Sequence, residues 1–547
     1  MRPQPFRRAA SWPALLVAMA WPVLTAAWCA SLGHTESGRH AERPPPDLRV
    51  FVLTDVHGYL EPCGCTSRPL GGVDRLAARL RARTADGRPW LLVAAGDLLF
   101  ERHGHSEHAR VQERMQAETF VDVMNRIGLL AAAPGRSDLD ADRTELAALV
   151  SRARFALLGA GVASSDGELG LLRPHLVHDV GGVRVGLLGL VRVPDGSSTS
   201  GDPNQRLLEA ARASVRAVRE AGAQIVIALA SVDRRLVRRV VSELDGVDLV
   251  VQGGLDRAEP LPPSEAGAAH ILHAGRHGQR LLVVEVWRSA RGAGLRDVSA
   301  WTRQVRLRRL RDEMADLEVR IARWRAQGRG AHPDVRAQQA RLDRLRLEAA
   351  SSTHGPVPAL GGVFDAWVEE LEPDAERDPE IRGLMIDLAR RINEHNRHAL
   401  AHLRPPPVPN GQPRYLGSES CGSCHEPAYR WWRSTPHGRA YATLVSRHKQ
   451  YNLHCVGCHV TGYGRPGGAT VTHNLDGALV DVGCESCHGP GSAHAQQPER
   501  AGLVARDAPE ALCVECHNPE HSDRFHYGVY RSMLIVPGHG RPLVAAR

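Results

Sequence analysis

Lysine is almost missing from this chain: Lys449 is the only one among 69 Lys and Arg residues. The net charge of +8 is therefore carried by arginine, which reads as a bias toward Arg along the whole chain. Single-sign charge runs are scarce too, because the arginines are interleaved with Asp and Glu. That excludes the one-faced basic surface that nucleic-acid binding needs. Neither a tail-like disordered composition nor a collagen-like one is present, since 43% of residues are apolar and 24% charged. Beyond the N-terminus there is no apolar run of the roughly 20 residues that span a bilayer. At 547 residues the chain is long for one core, so two or three domains are expected.

The N-terminus is basic at Arg2, Arg7 and Arg8, then largely apolar from Trp12 to Ala27, with Pro13 and Pro22 inside the run. Small residues follow at Thr25, Ala26 and Ala27. This predicts a secretory signal over 1–30, cut near Ala27. The two prolines count against a membrane anchor. Cys29 is a candidate for lipid attachment and a tether, although Trp28 stands where a small residue is expected. Residues 31–46 end in three prolines and read as a linker.

From Asp47 the texture alternates. Apolar runs such as "LRVFVLTD", "WLLVAAGD", "VRVGLLGLV", "AQIVIALA", "VDLVVQGG" and "LLVVEVW" read as buried strands. Helix-period segments lie between several of them, at Gly71–Thr84, Glu107–Ile127, Gln205–Ala221 and Asp233–Leu244. This predicts a layered α/β domain over 47–300. Residues 301–403 are charged, with Leu, Ile, Val and Met at three- and four-residue spacing, and predict a helical arm that opens with a hairpin. His395, His398 and His402 share one face of its last helix and read as a wet face rather than a metal site. Residues 404–413, "RPPPVPNGQP", read as a stiff hinge. The remaining segment, 414–547, is rich in Cys, His and Gly and predicts a mostly helical and irregular domain.

Eight of the eleven cysteines fall in four copies of one pattern. They are Cys421 and Cys424 with His425, Cys455 and Cys458 with His459, Cys484 and Cys487 with His488, and Cys513 and Cys516 with His517. Two cysteines three apart can form thioethers to one haem, and the next histidine reaches its iron, which is the c-type attachment pattern. Zinc would use CxxC pairs but gives no reason for a histidine after each one. Disulfides suit an exported chain, yet they too leave the histidines unexplained. Four covalently bound haems are expected, and porphyrins would supply core that the sparse apolar side chains do not.

Twelve histidines occur from Arg414 onward. With four proximal, His437, His448, His454, His473, His494, His521, His526 and His539 remain for the sixth iron positions. His437, His494 and His539 are the best placed, in Gly/Pro/Ser turns, whereas His454 adjoins Cys455 awkwardly. The stretches "YLGSESCGSCHEPAYRWWRSTPHGRAYATL", "CVGCHVTGYGRPGG", "VGCESCHGPGSAH" and "CVECHNPEHSDRF" closely resemble the tetrahaem cytochrome c-554/c′ family. The resemblance implies paired haems in contact, and His437, His494 and His539 as distal ligands. It also implies that one of the four haems can lack a protein sixth ligand.

The α/β segment resembles the 5′-nucleotidase-type calcineurin-like metallophosphoesterase family. "LTDVHGYLEP" matches its first motif with Asp55 and His57, and "LLVAAGDLLF" its second, with Asp97 as the expected bridging carboxylate. The third falls on "GRSDLD", where Arg136 and Ser137 replace Asn and His. Ser231 stands where a later histidine is expected, and Gly254 and Asp256 replace the final pair. Such binuclear sites need two metals to activate water and neutralise phosphoryl oxygens. Losing even outer-shell partners costs roughly 10–100-fold, so phosphatase activity is not expected. Cys63 and Cys65 lie beside the surviving half. They suit a rebuilt site for a single divalent metal with Asp55, His57 and Asp97, a strained disulfide, or two buried thiols. His103, His105 and His108 follow Asp97 and read as a solvated loop.

The expectation is a periplasmic electron-transfer cytochrome whose partners are periplasmic or membrane redox proteins, not nucleic acid. Two alternatives stand beside it. One is an oxidoreductase acting on a small nitrogen or sulfur species at an open haem. The other is an active phosphoesterase.

Overall fold

The computed structural model describes residues 44–62, 68–101, 107–162, 172–192, 202–255, 257–289, 294–328, 330, 332–353, 362–475, 477–518, 521–522 and 524–534. The signal and most of the linker, with Cys29, therefore lie outside the described residues, as do Cys63, Cys65, His103, His105, Asp256 and His539.

Thirteen strands are described: β1 Leu48–Thr54, β2 Trp90–Gly96, β3 Leu129–Pro134, β4 Ala156–Leu157, β5 His175–Val180, β6 Val183–Val191, β7 Ile225–Ser231, β8 Leu249–Gln252, β9 Leu261–Ala266, β10 Ala269–His273, β11 Arg280–Trp287, β12 Arg296–Asp297 and β13 Val363–Glu370. They form a seven-stranded sheet, β12-β13-β11-β1-β2-β3-β4, and a six-stranded sheet, β5-β6-β7-β8-β10-β9. Strand β1 runs parallel to β2 and antiparallel to β11. Period-two alternation sorts its side chains. Leu48, Val50 and Val52 pack between the two sheets against Val185, Leu187, Ile227 and Val251. Phe51 and Leu53 face the other way, toward helices.

The helices are α1 Val73–Thr84, α2 Arg110–Ile127, α3 Arg136–Leu139, α4 Arg143–Arg152, α5 Pro203–Glu220, α6 Arg234–Ser242, α7 Ala300–Ala326, α8 Pro333–Thr353 and α9 Pro379–Ala399. Leu76, Phe120, Met124, Leu388 and Ile392 from α1, α2 and α9 cover the first sheet. Leu208, Val215, Val237 and Val241 from α5 and α6 cover the second. The result is helix, sheet, sheet, helix, as the alternating texture predicts. Starts are local: the Asp202, Asp233 and Asp378 side chains accept N–H groups of the first turns of α5, α6 and α9, with Pro at the first helical position of α5 and α9.

The segment over 301–403, expected as a helical arm, also contributes a strand and a helix to the α/β layers. The hairpin α7–α8 is an insertion, with its own small core of Leu317, Ile321, Val335 and Leu342 and cross-helix pairs such as Arg346–Glu318 at 2.7 Å. After it the chain re-enters the sheet: β13 lies between β12 and β11, and α9 packs on the same face as α1 and α2. The reason β13 escapes sequence reading is its polarity. Asp365, Glu369 and Glu370 break the apolar run, and Glu370 opposes and pairs with Arg280 of β11 at 3.0 Å. Strand β9 is also hidden, because it contains Pro262 and Pro263, which only an edge position tolerates. On α9 the histidine face is solvated, and His398 pairs with Glu394 at 2.8 Å.

Residues 404–413 carry no regular element but are not a free spacer, since Gly467 N–H donates to Pro406 O at 2.9 Å. Beyond them the helices are short: α10 Ser418–Gly422, α11 Glu426–Ser434, α12 Ala440–Val445, α13 Leu453–Val456, α14 Cys484–His488, α15 Ser492–Gln496, α16 Glu510–Val514 and α17 Tyr527–Leu534. Their buried apolar cluster is small: Val456, Val460, Ala469, Val471 and Leu479, with Leu400.

Candidate cofactor sites

Each Cys-x-x-Cys-His motif is wound into a helical turn. In the first, Cys424 and His425 N–H groups donate back to Cys421 O at 3.3 and 2.9 Å. In the last, Cys516 and His517 do the same to Cys513 O at 3.2 and 2.8 Å. That turn puts both sulfurs and the imidazole of a motif close together. The second motif begins on α13, capped by Asn452, whose side chain accepts His454 N–H at 2.9 Å. The third is α14 itself.

The proximal imidazoles are oriented by their Nδ1 atoms. His459 Nδ1 bonds Ala440 O at 2.7 Å, His488 Nδ1 bonds Ala505 O at 2.6 Å, and His517 Nδ1 bonds Ser522 Oγ at 3.1 Å. A carbonyl partner makes Nδ1 the protonated nitrogen and leaves Nε2 as the ligand atom, the usual arrangement of a metal-binding histidine.

Two histidines that the sequence proposes as distal are brought to proximal partners. The His425 and His494 rings are 6.1 Å apart at 24°, and His437 and His517 are 6.1 Å apart at 55°. Two imidazoles on opposite sides of one metal ion, with bonds of about 2.0–2.1 Å and about 1.1 Å from nitrogen to ring centre, give about 6.3 Å. Burial lowers the pKa of His437, with the neighbouring His517 adding to it, so its ring is kept neutral and able to ligate. The His517 ring also stacks on Phe525 at 4.9 Å.

Among the described residues no three His, Cys, Asp or Glu side chains are grouped to hold a metal ion. A zinc site would need four protein donors, whereas a porphyrin supplies four nitrogens and needs two imidazoles from the protein. The donor set fits haem. A cleft of about 420 Å³ next to Gly438 is lined by Tyr441, Ala442, Val445 and Val480, with Arg433, Arg439 and Asp481 as its charged residues. The motifs also neighbour one another: the Cys421 thiol meets that of Cys484, and Cys458 that of Cys516.

Sequence reasoning missed Glu485, the second residue of the third motif. It is buried, and its carboxylate accepts N–H groups of Leu416, Gly417 and Gly491 at 2.9, 2.7 and 2.7 Å. It ties α14 to the start of α10 and to the turn that presents His494. An acidic residue between haem cysteines carries no local signal of such a role.

In the α/β module two of the three surviving motif residues, His57 and Asp97, lie side by side, and the Asp97 charge reaches Asp55. Asp55 and His57 follow β1, Asp97 follows β2, and His57 Nδ1 lies 3.9 Å from Asp97 Oδ2. Backbone amides take the carboxylates, however. Gly254 N–H donates to Asp55 Oδ1 at 2.7 Å, and Ser137 N–H to Asp97 Oδ1 at 2.7 Å. Burial pushes the Asp55 carboxyl up to about 7, partly offset by the Gly254 N–H, with the Asp97 charge raising it further. Ser231 Oγ is buried without a hydrogen-bond partner among the described residues. Among the described residues the ligands replaced at Arg136, Ser137, Ser231 and Gly254 are not made good by others, and the Cys63 and Cys65 of the expected single-metal site lie outside them.

What the sequence did not single out is the ring cluster beside this site. His277 stacks on Tyr59 at 4.3 Å and lies 5.3 Å from His57, and its backbone N–H donates to Asp55 O at 2.7 Å. Burial, aided by His57 and Arg276, lowers its pKa to about 3, so it is a neutral imidazole. Its left-handed backbone, at φ 58°, in the Gly-flanked turn "GRHGQ" is the signal that was available.

Comparison with known proteins divides along the same line. Residues 420–489 match the family described as Cytochrome c554 and c-prime. Cytochrome c-554 of Nitrosomonas europaea is 37% identical over 92 residues, covering 14% of this chain and 39% of that protein. The chain thus spans well under half of that relative. The family match implies covalently bound haem c. For the α/β part, a 5′-nucleotidase precursor from Thermus thermophilus aligns with 19% identity and a TM-score of 0.44, over 68% of this chain and 61% of that one. A calcineurin-like phosphoesterase, YfkN, from Bacillus subtilis aligns with 18% identity and a TM-score of 0.37, over 45% of this chain and 87% of that one.

Proposed function

We propose that this chain is an exported multihaem c-type cytochrome, with four covalent haems, that passes single electrons between redox partners outside the cytoplasm. The observation that carries the reading is the pair of imidazole couples at 6.1 Å, each joining a CxxCH histidine to a distal histidine. Haem, when bound, supplies reversible one-electron redox chemistry whose potential the axial ligands and burial set. The chain's own part is to hold and orient. His425, His459, His488 and His517 face the proximal side, and carbonyl or hydroxyl partners fix three of them. His494 and His437 would close the opposite sides of the first and fourth sites. His539, the remaining distal candidate, lies outside the described residues. The sulfur neighbours Cys421–Cys484 and Cys458–Cys516 support a first-with-third and second-with-fourth grouping, close enough for electrons to pass between sites.

Among the described residues no helix is long and apolar enough to cross a membrane. The N-terminal signal supports export, which haem attachment of this kind requires. The α/β module is assigned no phosphoesterase role, because Arg136, Ser137, Ser231 and Gly254 stand where the resembled family has Asn and His side chains. Pyridine haemochrome and intact-mass measurements on the mature protein test the reading. Four covalent haems with low-spin bis-imidazole signals are expected; a mass without covalent haem overturns it.

A further inference from the structure

The second motif differs from the other three in what holds it. Its approach, 449–454, lies on the α/β module. Gln112 of α2 and Asn396 of α9 are completely buried. Asn396 Nδ2 donates to Gln112 Oε1 and to Tyr451 O, both at 2.9 Å. Gln112 Nε2 donates to Asn452 Oδ1 at 3.2 Å, and Leu453 N–H donates to Gln112 Oε1 at 3.1 Å. Tyr451 N–H donates to Asn393 Oδ1 at 3.0 Å. Beside them Glu113 Oε1 of α2 lies 3.7 Å from His454 Nε2. These contacts from α2 and α9 converge on 451–454. Asn452 is also the cap of α13, the turn that carries Cys455.

A charge contact stands next to this amide network. Lys449, the chain's only lysine, pairs with Glu61 from the turn after β1, and its side chain is 17% exposed. Lys449 opens the same approach, six residues before Cys455. Buried amides linked in this way favour one arrangement, since breaking a link leaves its partner without water or a substitute.

We propose that the α/β module is the mount of the second haem site: Gln112, Asn396 and Asn452 fix the turn that presents Cys455, Cys458 and His459, and the Glu61–Lys449 pair sets the charge beside it. This rests on the haem reading above. The module is kept for placement of a redox centre, not for hydrolysis, and Gln112 and Asn396 are positioning residues.

The test uses full-length holoprotein made with haem attachment, read by intact mass, spectroelectrochemical titration and EPR. Glu61→Gln keeps four haems and moves one potential upward, because losing a nearby carboxylate disfavours the oxidised, more positive iron; the other three stay in place. Gln112→Leu alters the EPR signal of that same haem or lowers its occupancy. In a Cys455→Ala/Cys458→Ala background, Glu61→Gln moves none of the remaining potentials. Four unchanged potentials and EPR signals in Glu61→Gln overturn the proposal even if Gln112→Leu does not fold. So does a shift that persists in the cysteine-free background. Failure of the underlying haem reading looks different, since the wild-type protein would then carry no covalent haem.

Discussion

The two halves of this chain stabilise themselves in opposite ways. The α/β module buries three extensive apolar clusters, and its site residues sit at strand ends on a frame that is complete without them. The Cys/His segment buries one small cluster and arranges its histidines in couples separated by the width of a metal with its two bonds. In the first, backbone N–H groups donate to the Asp55 and Asp97 carboxylates, and the apolar clusters do not depend on either. In the second, few apolar side chains are buried, so a bound haem would be part of the core.

The sharpest way to break this contrast is to withhold haem. Protein made without haem attachment should keep a protease-resistant α/β module, while cleavages cluster within 414–547; limited proteolysis with mass mapping reads this. A resistant apo segment would mean that side chains alone hold it. Next in size is Glu485→Ala. It leaves one buried and two part-buried N–H donors without their acceptor and should cost about 2 kcal/mol, read by chemical denaturation of the holoprotein. A cost below about 0.5 kcal/mol would show that the clamp is dispensable.

A third prediction concerns pH. Burial raises both Asp55 and Asp138 from 3.8 to about 7, with Asp97 adding in each case. An acid whose folded pKa is raised binds more protons in the folded chain than in the unfolded one. Its stabilisation is therefore greatest below about pH 4 and is lost as pH rises through about 7. Asp55→Asn should flatten part of that slope and stabilise the protein at pH 8 by on the order of 1–2 kcal/mol. Destabilisation by this substitution, together with stabilisation by added Mn²⁺ of the wild type but not of the variant, would restore a metal to the module. The smallest effect is at Lys449. Its pairing with Glu61 should make it react with an amine-directed acylating reagent a few-fold more slowly than in Glu61→Gln, as peptide mapping would show.

Much of this was legible beforehand. The strands of "LRVFVLTD" and "VRVGLLGLV" and the four CxxCH turns were written in local pattern, because period and spacing are local properties. The re-entrant β13 was not, since Glu370 meets Arg280, and Glu369 meets Arg79 and Arg83, only in the folded chain. Nor was Glu485, whose three donors come from segments up to 69 residues away. The pairing of His494 with His425 and of His437 with His517, rather than the reverse, likewise required the chain to be folded.

By itself the sequence determined what chemistry is available: four attachment motifs, spare histidines to complete them, and a phosphatase-like signature missing half its ligands. Only the tertiary structure decided what faces what. It set which imidazoles share a site, gave the Asp55 and Asp97 oxygens to backbone amides, and seated the second motif on the α/β module. The reason is that side-chain identity fixes the donors a chain can offer, whereas distances of a few ångströms between residues hundreds apart exist only once the core has packed.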